Sequence, residues 1–325
     1  MRRLLFVVFA LVAAACGDPS TGGTGGSSAA GRRVAVIPKG TTHVFWQAVA
    51  AGAAQGAERT GLEVVFKGPL QENDRAQQIQ LVQQFLGEGI AGIALAPLDH
   101  QALVPVVRQC KQQHVPVVVF DSALDGVPGS DFASFVATDN ERAGELAGKE
   151  LARLVAADRK DRLGKVVMLR YQQGSASTEA RETGFLMAMA SAGIDVIVDN
   201  RYAGATSGEA KSTALNLADQ LRQADGVFCS NESATAGMLL ALGQLQLPNK
   251  LRFVGFDASP PLVDALRDGR IDALVVQDPR RMGEIAVEHL RRLLDAQPVE
   301  PVVDTGAKLA TKANHAEPEI ARLLR

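Results

Sequence analysis

The sequence contains few cysteines and has no excess of charge of either sign. Only three cysteines occur in 325 residues, at Cys16, Cys110 and Cys229. The last two lie in a helix-like and a strand-like run, where a free cysteine behaves as a small buried apolar residue, so we expect no disulfide between them. The net charge is −2, from 34 basic and 36 acidic residues. Because no basic patch and no acidic tail stands out, the charge pattern argues against nucleic acid or a basic protein as partner.

Sequence motifs typical of several enzyme classes are also absent. The chain lacks His-Glu-x-x-His, Gly-x-Ser-x-Gly and the phosphate-binding Gly-Lys-Ser/Thr. Its five histidines are scattered, and no two of them have the spacing of metal ligands. The sequence therefore predicts no metal site and no cofactor.

The first residues, MRRLLFVVFALVAAACGD, have the pattern of a bacterial secretory signal. Two arginines precede an apolar stretch, and small alanines run directly into Cys16. A cysteine in this place resembles a lipobox, although Ala13 stands where such boxes usually carry leucine. We therefore expect a signal peptide over residues 1–15 and a lipid on Cys16, which would hold the protein in the periplasm or at the outer face of the cell envelope. An ordinary secretory signal with an incidental cysteine is the alternative.

Residues 16–31 predict a flexible linker behind the lipid anchor, since they are rich in glycine and serine and have no apolar periodicity. The rest of the chain is long for one hydrophobic core and fits two domains. With 46% hydrophobic and 22% charged residues, the composition is that of a globular protein.

Short runs rich in valine and isoleucine alternate with longer segments of helical periodicity. Most of the runs are continuously apolar, as strands buried on both faces of a parallel sheet are. The predicted strands span residues 34–37, 62–66, 92–95, 115–120, 135–137, 166–169, 195–198, 226–229, 252–256 and 273–276. Gly61 and Gly193 follow helical segments, which suits left-handed C-caps. The alternation predicts an α/β fold, and because ten strands are many for one sheet, we expect two doubly wound parallel-sheet lobes.

Polar residues follow the predicted strands at their carboxyl ends, where ligands bind to parallel sheets. The candidate binding residues are Lys39, His43, Phe45, Trp46, Asp121, Ser122, Arg181, Asn231, Asp257 and Gln277. Aspartate, asparagine and glutamine offer many acceptors and donors, and arginine offers a planar fork of donors. Together with two aromatic rings that can stack on the C–H face of a sugar, this set suits a polyhydroxylated ligand.

Each candidate also has a purely structural alternative. An aspartate or asparagine after a strand is often only a helix N-cap. The adjacent Phe45 and Trp46 can belong to the core, and Arg181 can pair with Glu179 or Glu182 at the surface. The argument for a binding site depends on many such residues ending strands on the same side of the sheets.

Eight stretches of the chain, in the right order, resemble the ribose-type periplasmic sugar-binding proteins, which serve ABC importers of simple sugars. They include VAVIPKGTTHVFWQAVAAGA, VPVVVFDS, VFCSNESATAGML and ALVVQDPRRMGEIAVEHL. The resemblance implies the type I periplasmic binding protein fold, in which two α/β lobes joined by a three-stranded hinge close on the ligand. It implies an N-terminal lobe of residues 32–137 plus 278–305. Residues 138–277 plus 306–325 then form the C-terminal lobe and a tail. The end of this tail extends past the usual end of the family, and from its own sequence we expect a short surface helix after Pro318.

The resemblance also implies which residues bind the ligand. Matched residue by residue, the family's cleft residues fall on Phe45, Trp46, Asp121, Arg181, Asn231, Asp257 and Gln277. Lys39, His43 and Ser122 depart from the ribose pattern, and no aromatic near residues 202–206 matches the ring that the second lobe usually supplies. A cation at Lys39 suits either an acidic ligand or a neighbouring pocket carboxylate, and we favour the carboxylate.

From these observations we expect a monomeric lipoprotein that binds a monosaccharide or polyol and delivers it to an ABC permease, with no nucleic-acid partner. The same fold could instead present a sugar or furanosyl signal to a sensor kinase. A third reading is an enzyme acting on glycosides, since Asp121 and Asp257 could face each other as a pair of carboxylates.

Overall fold

The computed structural model describes residues 33–158, 164–247 and 249–325. The predicted signal peptide, the lipid on Cys16 and the predicted linker lie outside these residues and stay predictions.

The first lobe is built on a six-stranded parallel sheet. Its strands are β1 (Arg33–Ile37), β2 (Glu63–Phe66), β3 (Gly92–Leu95), β4 (Val117–Phe120), β5 (Ser134–Ala137) and β11 (Val302–Asp304). Helices α1 (Val44–Thr60), α2 (Arg75–Gly87), α3 (Val104–Gln112) and α10 (Pro279–Leu294) pack with this sheet. The strands lie in the order β11-β5-β4-β3-β1-β2. The central strands are continuously apolar because helices cover both faces of the sheet.

The second lobe repeats this plan with one antiparallel strand at its edge. Its strands are β6 (Lys165–Arg170), β7 (Asp195–Tyr202), β8 (Gly226–Cys229), β9 (Arg252–Phe256), β10 (Ala273–Gln277) and β12 (Ala307–Thr311). Its helices are α4 (Asn140–Asp158), α5 (Ala176–Ala192), α6 (Ser207–Leu215), α7 (Ala218–Gln223), α8 (Glu232–Gln244), α9 (Pro260–Asp268) and α11 (Pro318–Leu323). The strand order is β12-β10-β9-β8-β6-β7, and only β12 runs antiparallel to its neighbour among the described pairs.

The chain passes between the two sheets three times. It crosses from β5 to α4, from β10 to α10 and from β11 to β12. In each sheet the strand order reverses beside the first strand, β1 or β6, as it does in doubly wound folds. The predicted architecture of two doubly wound lobes joined by three connections is therefore confirmed.

The strands that the periodicity predicts are all present, with small differences at their ends. Strands β11 and β12 were not expected, because they are short edge strands whose residues are not continuously apolar. Gly61 and Gly193 end α1 and α5 with φ of 68° and 65°, which confirms the predicted left-handed caps. Cys110 and Cys229 are buried and free, also as predicted.

The tail beyond β12 forms the predicted short helix, α11, but it is not only a surface feature. Ile320 is buried, and Leu323 and Leu324 pack against the core of the second lobe. Across the described part of the chain, no helix combines the length and the apolar character that crossing a membrane requires.

Two helix pairs, α1 with α10 and α4 with α5, approach each other closely through glycines. A Cβ atom on Gly52 would lie 1.8 Å from the carbonyl oxygen of Arg280, and one on Gly144 would lie 1.9 Å from that of Arg181. Only glycine allows such close contact between backbones. Gly52 therefore fixes how closely α10 packs against α1, and Gly144 fixes how closely α5 packs against α4.

Candidate functional site

A cleft between the lobes lies at the carboxyl ends of the strands. Both lobes contribute to its lining, which consists of Lys39, His43, Phe45, Trp46, Glu72, Asp121, Tyr171, Ser177, Thr178, Arg181, Asn231, Glu232, Asp257 and Gln277. Every candidate from the sequence except Ser122 is in this set. Ser122 is fully buried outside the lining, and its Oγ accepts a hydrogen bond from the backbone N–H of Ser177 at 3.1 Å. The strand-end pattern therefore brings nearly all of the candidates together.

Asp121 and Asp257 occupy equivalent places in the two lobes. Asp121 directly follows β4 and Asp257 directly follows β9, which are corresponding strands of the two sheets. Both residues have left-handed backbones, with φ of 61° and 68°. Aspartate tolerates this region better than most residues, and such strained backbones cluster at functional sites. Each lobe thus offers one of its cleft carboxylates from the turn that directly follows a strand.

Lys39 is held by protein groups from both lobes. Its Nζ lies 3.1 Å from Asp121 Oδ2 in the first lobe. It also donates to the Oγ atoms of Ser177 at 2.9 Å and Ser175 at 3.3 Å in the second lobe. An ammonium group has three protons, and all three are engaged. The interpretation of Lys39 as the partner of a pocket carboxylate is confirmed.

Glu72 is a buried carboxylate in the loop between β2 and α2, and three side chains converge on it. Its Oε1 lies 2.6 Å from His43 Nδ1 and accepts a hydrogen bond from Trp46 Nε1 at 2.7 Å. Its Oε2 accepts a hydrogen bond from Tyr171 Oη at 2.9 Å. Tyr171 belongs to the second lobe, so Glu72 also bridges the cleft.

The pair formed by His43 and Glu72 is charged at neutral pH. Burial disfavours the charged form of each group, but their mutual hydrogen bond and opposite charges outweigh it. The pKa of Glu72 therefore falls to about 2, and the pKa of His43 rises to about 9. The charges of Glu232 and Asp257 in the second lobe also raise the pKa of His43.

Trp46 and Phe45 form the aromatic wall of the cleft at the start of α1. Trp46 is only 2% exposed and belongs to the core of the first lobe, so the core alternative describes its packing. Phe45 is partly buried, and the two rings meet edge to face with centroids 4.9 Å apart. Both rings also line the cleft. That they stack on a sugar stays a prediction.

Arg181 is buried and holds polar groups from three separate elements. Its Nε donates to Asn140 Oδ1 at 2.8 Å, its Nη1 to the carbonyl oxygen of Ser230 at 3.0 Å, and its Nη2 to Gln277 Oε1 at 2.9 Å. The guanidinium also lies over the Phe256 ring, 4.4 Å from its centroid. The alternative of a surface ion pair is therefore wrong, because the side chain points inward from α5.

Asp257 is held by two donors of the second lobe. Its Oδ2 accepts from the backbone N–H of Glu232 at 3.1 Å, and its Oδ1 accepts from Gln277 Nε2 at 2.6 Å. Burial raises the pKa of Asp257, and burial together with the charge of Asp257 raises the pKa of Glu232. Asn231 caps α8, since its Oδ1 accepts from the backbone N–H of Ala234 at 3.1 Å. The N-cap alternative therefore holds for Asn231, although its side chain also lines the cleft.

Direct hydrogen bonds join the lobes across the cleft, and residues 171–177 of the second lobe make many of them. The carbonyl oxygen of Gln173 accepts from Arg75 Nη2 at 2.7 Å. The carbonyl oxygen of Gly174 accepts from the backbone N–H of His100 at 3.1 Å. With the contacts of Lys39 and Glu72 described above, these bonds show that the lobes are in a closed arrangement.

Five residues line the cleft that the sequence did not single out: Glu72, Tyr171, Ser177, Thr178 and Glu232. Tyr171 directly follows β6, and Glu232 follows β8 by three residues, so the strand-end rule could have included both. Tyr171 places an aromatic ring of the second lobe in the lining, whereas Tyr202 is not part of it. Glu72 lies in a loop without a motif, and nothing in the sequence marks it.

Comparison with known proteins agrees with this geometry. A sequence profile of the periplasmic binding protein domain matches residues 34–298. The chain belongs to the periplasmic binding protein family. A D-ribose/D-allose-binding protein of Pseudomonas aeruginosa is 27% identical to this binding protein over 297 residues, which cover 86% of this chain and 88% of the relative.

Solved structures show the same two lobes. A carbohydrate transporter solute-binding protein from Agrobacterium radiobacter, in complex with D-arabinose, superposes with a TM-score of 0.86 at 32% identity, covering 92% of this chain and 100% of that chain. An ABC transporter solute-binding protein from Agrobacterium vitis with bound D-fucose gives 0.85 at 32% identity, covering 90% and 100%. These relatives confirm the resemblance to the ribose-type sugar-binding proteins of ABC transporters. They are binding proteins by name, not enzymes.

Proposed function

We propose that this binding protein captures a neutral monosaccharide or polyol in its cleft and delivers it to an ABC permease in the membrane. The observation that most supports a neutral ligand is that the cations of the cleft are paired with protein groups, whereas its carboxylates keep free acceptor positions. The cations of Lys39, His43 and Arg181 are already bonded to protein acceptors. The carboxylates of Asp121 and Asp257 each offer about four acceptor positions, of which protein contacts occupy only some. Uncharged hydroxyl groups, which donate hydrogen bonds, suit this arrangement.

The named ligands of the relatives belong to the same chemical class. They are D-ribose and D-allose for the Pseudomonas protein, and D-arabinose and D-fucose for the two Agrobacterium proteins. A sugar ring also has apolar C–H faces, and the wall formed by Phe45 and Trp46 suits such a face. Delivery to a permease follows from the family, whose solved members include solute-binding proteins of ABC transporters.

Closure supplies the mechanism of capture. Asp121 reaches the cleft from the first lobe, whereas Asp257 and Arg181 reach it from the second. A ligand can touch all three only when the lobes are together, so it binds the closed state more tightly than the open state. That difference in affinity shifts the population toward the closed state.

A ligand screen tests the proposed substrate class. We expect at least one neutral pentose, hexose or polyol to raise the melting temperature of the purified protein, and calorimetry to show one site per chain. At about 100 times its Kd, such a ligand stabilises the protein by about 2.7 kcal/mol. Sugar acids should give no shift, because the three cations among the described lining residues, Lys39, His43 and Arg181, already have protein acceptors. Stabilisation by sugar acids alone, or by no member of the panel, would reject the proposal.

We also propose that Cys16 carries a lipid that holds the protein in the periplasm or at the outer face of the cell envelope. The support is the sequence alone, in which small residues lead from an apolar stretch into Cys16. In a bacterial host fed a labelled fatty acid, the full chain should become labelled and fractionate with membranes. The Cys16→Ser variant should lose both properties, while Cys110→Ser, a change at a buried thiol, keeps them. Label on the Cys16→Ser variant would contradict lipid attachment at this residue.

A further inference from the structure

Glu72 contacts more of the cleft's side chains than its place in an unremarkable loop suggests. It is 6% exposed, and its two carboxylate oxygens pair with His43 and accept hydrogen bonds from Trp46 and Tyr171. The neighbouring backbone leaves room for it, since a Cβ atom on Gly40 would lie 2.8 Å from Glu72 Cγ. Glycine at position 40 thus leaves the space that the Glu72 side chain occupies.

We propose that Glu72 is a positioning residue of the binding site, which fixes the His43 and Trp46 rings in the first lobe and ties them to Tyr171 of the second lobe on closure. This inference rests on the proposed function, because positioning matters only if the cleft binds a ligand.

The first argument is that the N–H of Trp46 and the O–H of Tyr171, which donate hydrogen bonds to Glu72, are buried. Trp46 is 2% exposed and Tyr171 is 1% exposed. A buried N–H or O–H without an acceptor costs about 1–3 kcal/mol, so these two rings need the carboxylate to stay where they are. Since both rings line the cleft, Glu72 fixes the position of two of its walls in addition to lining the cleft itself.

The second argument is charge. The groups that face His43 are Glu72 in its own lobe and Glu232 and Asp257 in the second lobe. Protonated His43 is therefore attracted across the cleft, and this attraction favours closure. The pKa of His43 rises from its ordinary value of 6.5 to about 9, so His43 keeps its charge at neutral pH, and the attraction is lost as the pH rises through about 9. Without the charge of Glu72, we expect the loss to occur at lower pH.

Glu72→Gln is the direct test, because glutamine keeps the size of the side chain and removes its charge. In the ligand-free variant, we expect the pKa of His43, followed by NMR, to move from about 9 down toward 6.5. Emission from Trp46, the single tryptophan of the chain, should shift because its acceptor changes from a carboxylate to an amide. Affinity for the ligand found in the screen should fall at least about tenfold at about pH 8, and less at about pH 6. The wild type should vary little between these two pH values.

Tyr171→Phe distinguishes the effect of closure from the effect of charge, because it removes one of the hydrogen bonds that cross the cleft, from Tyr171 to Glu72, and leaves every charge in place. We expect its affinity to fall by a similar factor at both pH values, while the pKa of His43 stays near 9. Glu58→Gln, at an exposed position on α1, is the matched control and should behave as the wild type in every measurement.

Several results would overturn the role of Glu72. They are an ordinary His43 titration near 6.5 in the wild type, an unchanged titration in Glu72→Gln, or wild-type affinity in both Glu72→Gln and Tyr171→Phe. If Glu72→Gln does not fold, the wild-type titration and the Tyr171→Phe variant still decide the matter. Failure of the wild type to bind any neutral sugar would instead reject the proposed function. The NMR and fluorescence measurements need no ligand, so they would still test whether Glu72 holds His43 and Trp46.

Discussion

We expect Asp257→Asn to lower affinity for the cognate monosaccharide by about 30-fold or more while the protein stays folded. Both carboxylate oxygens of Asp257 accept hydrogen bonds, one from the Glu232 backbone and one from Gln277 Nε2. Asparagine has only one acceptor atom, so its amide nitrogen must face one of these two donors. Gln277 Oε1 also accepts a hydrogen bond from Arg181, so a change in the position of Gln277 would displace a second cleft residue as well. Isothermal titration calorimetry measures the change in affinity.

Asparagine is a sharper test here than alanine. The backbone of Asp257 has φ of 68°, a region that asparagine tolerates and that strains alanine, so Asp257→Ala would confound lost contacts with backbone strain. We expect Asp257→Ala to abolish measurable binding, with a greater loss of stability. Asp199→Asn, at an exposed position on β7, controls for the change of net charge and should bind normally. Normal binding by Asp257→Asn would show that the cleft has been assigned to the wrong residues.

We expect Gly144→Ala to lower the free energy of unfolding by about 3 kcal/mol or more. The new Cβ would lie 1.9 Å from the carbonyl oxygen of Arg181, so α4 and α5 must separate. This contact is with backbone, which cannot rotate away as the end of a side chain can. Because α5 carries Arg181, whose guanidinium holds Asn140 and Gln277, ligand affinity should fall as well. Urea denaturation followed by circular dichroism measures the loss of stability.

Gly243→Ala provides a matched control for this prediction. Gly243 also lies in a helix, α8, but a Cβ atom there would meet nothing within 4 Å. Alanine at such a position stabilises a protein by about 0.4–1 kcal/mol, because it restricts the unfolded chain and favours the helix. If the two variants had the same unfolding midpoint, close contact between α4 and α5 could not be what holds α5 in place.

The elements of the fold were predictable because their signals are local. A strand buried on both faces needs a continuous apolar run, and the runs that became β4 and β8 satisfy this within four residues each. A left-handed helix end needs glycine at one position, and Gly61 and Gly193 supply it. The edge strands β11 and β12 escaped prediction because each is ordered by pairing with a distant strand, β5 or β10.

Much of the candidate site was predictable for a related reason. The carboxyl ends of parallel strands meet at one edge of a sheet, so residues that follow strands come together whatever their separation in the chain. Asp121, Asp257 and Gln277 follow or end β4, β9 and β10, and all three line the cleft. The rule says which residues reach the cleft, but it does not say what they touch there.

The sequence by itself thus determined two parallel-sheet lobes and the polar rim between them, because apolar runs and strand ends are properties of neighbouring residues. Only the tertiary structure decided that Lys39 is paired with Asp121, that Arg181 points inward, and that Glu72 bridges to Tyr171. Partners of this kind come from different strands, loops and lobes, and their hydrogen bonds exist only after the lobes have folded and closed.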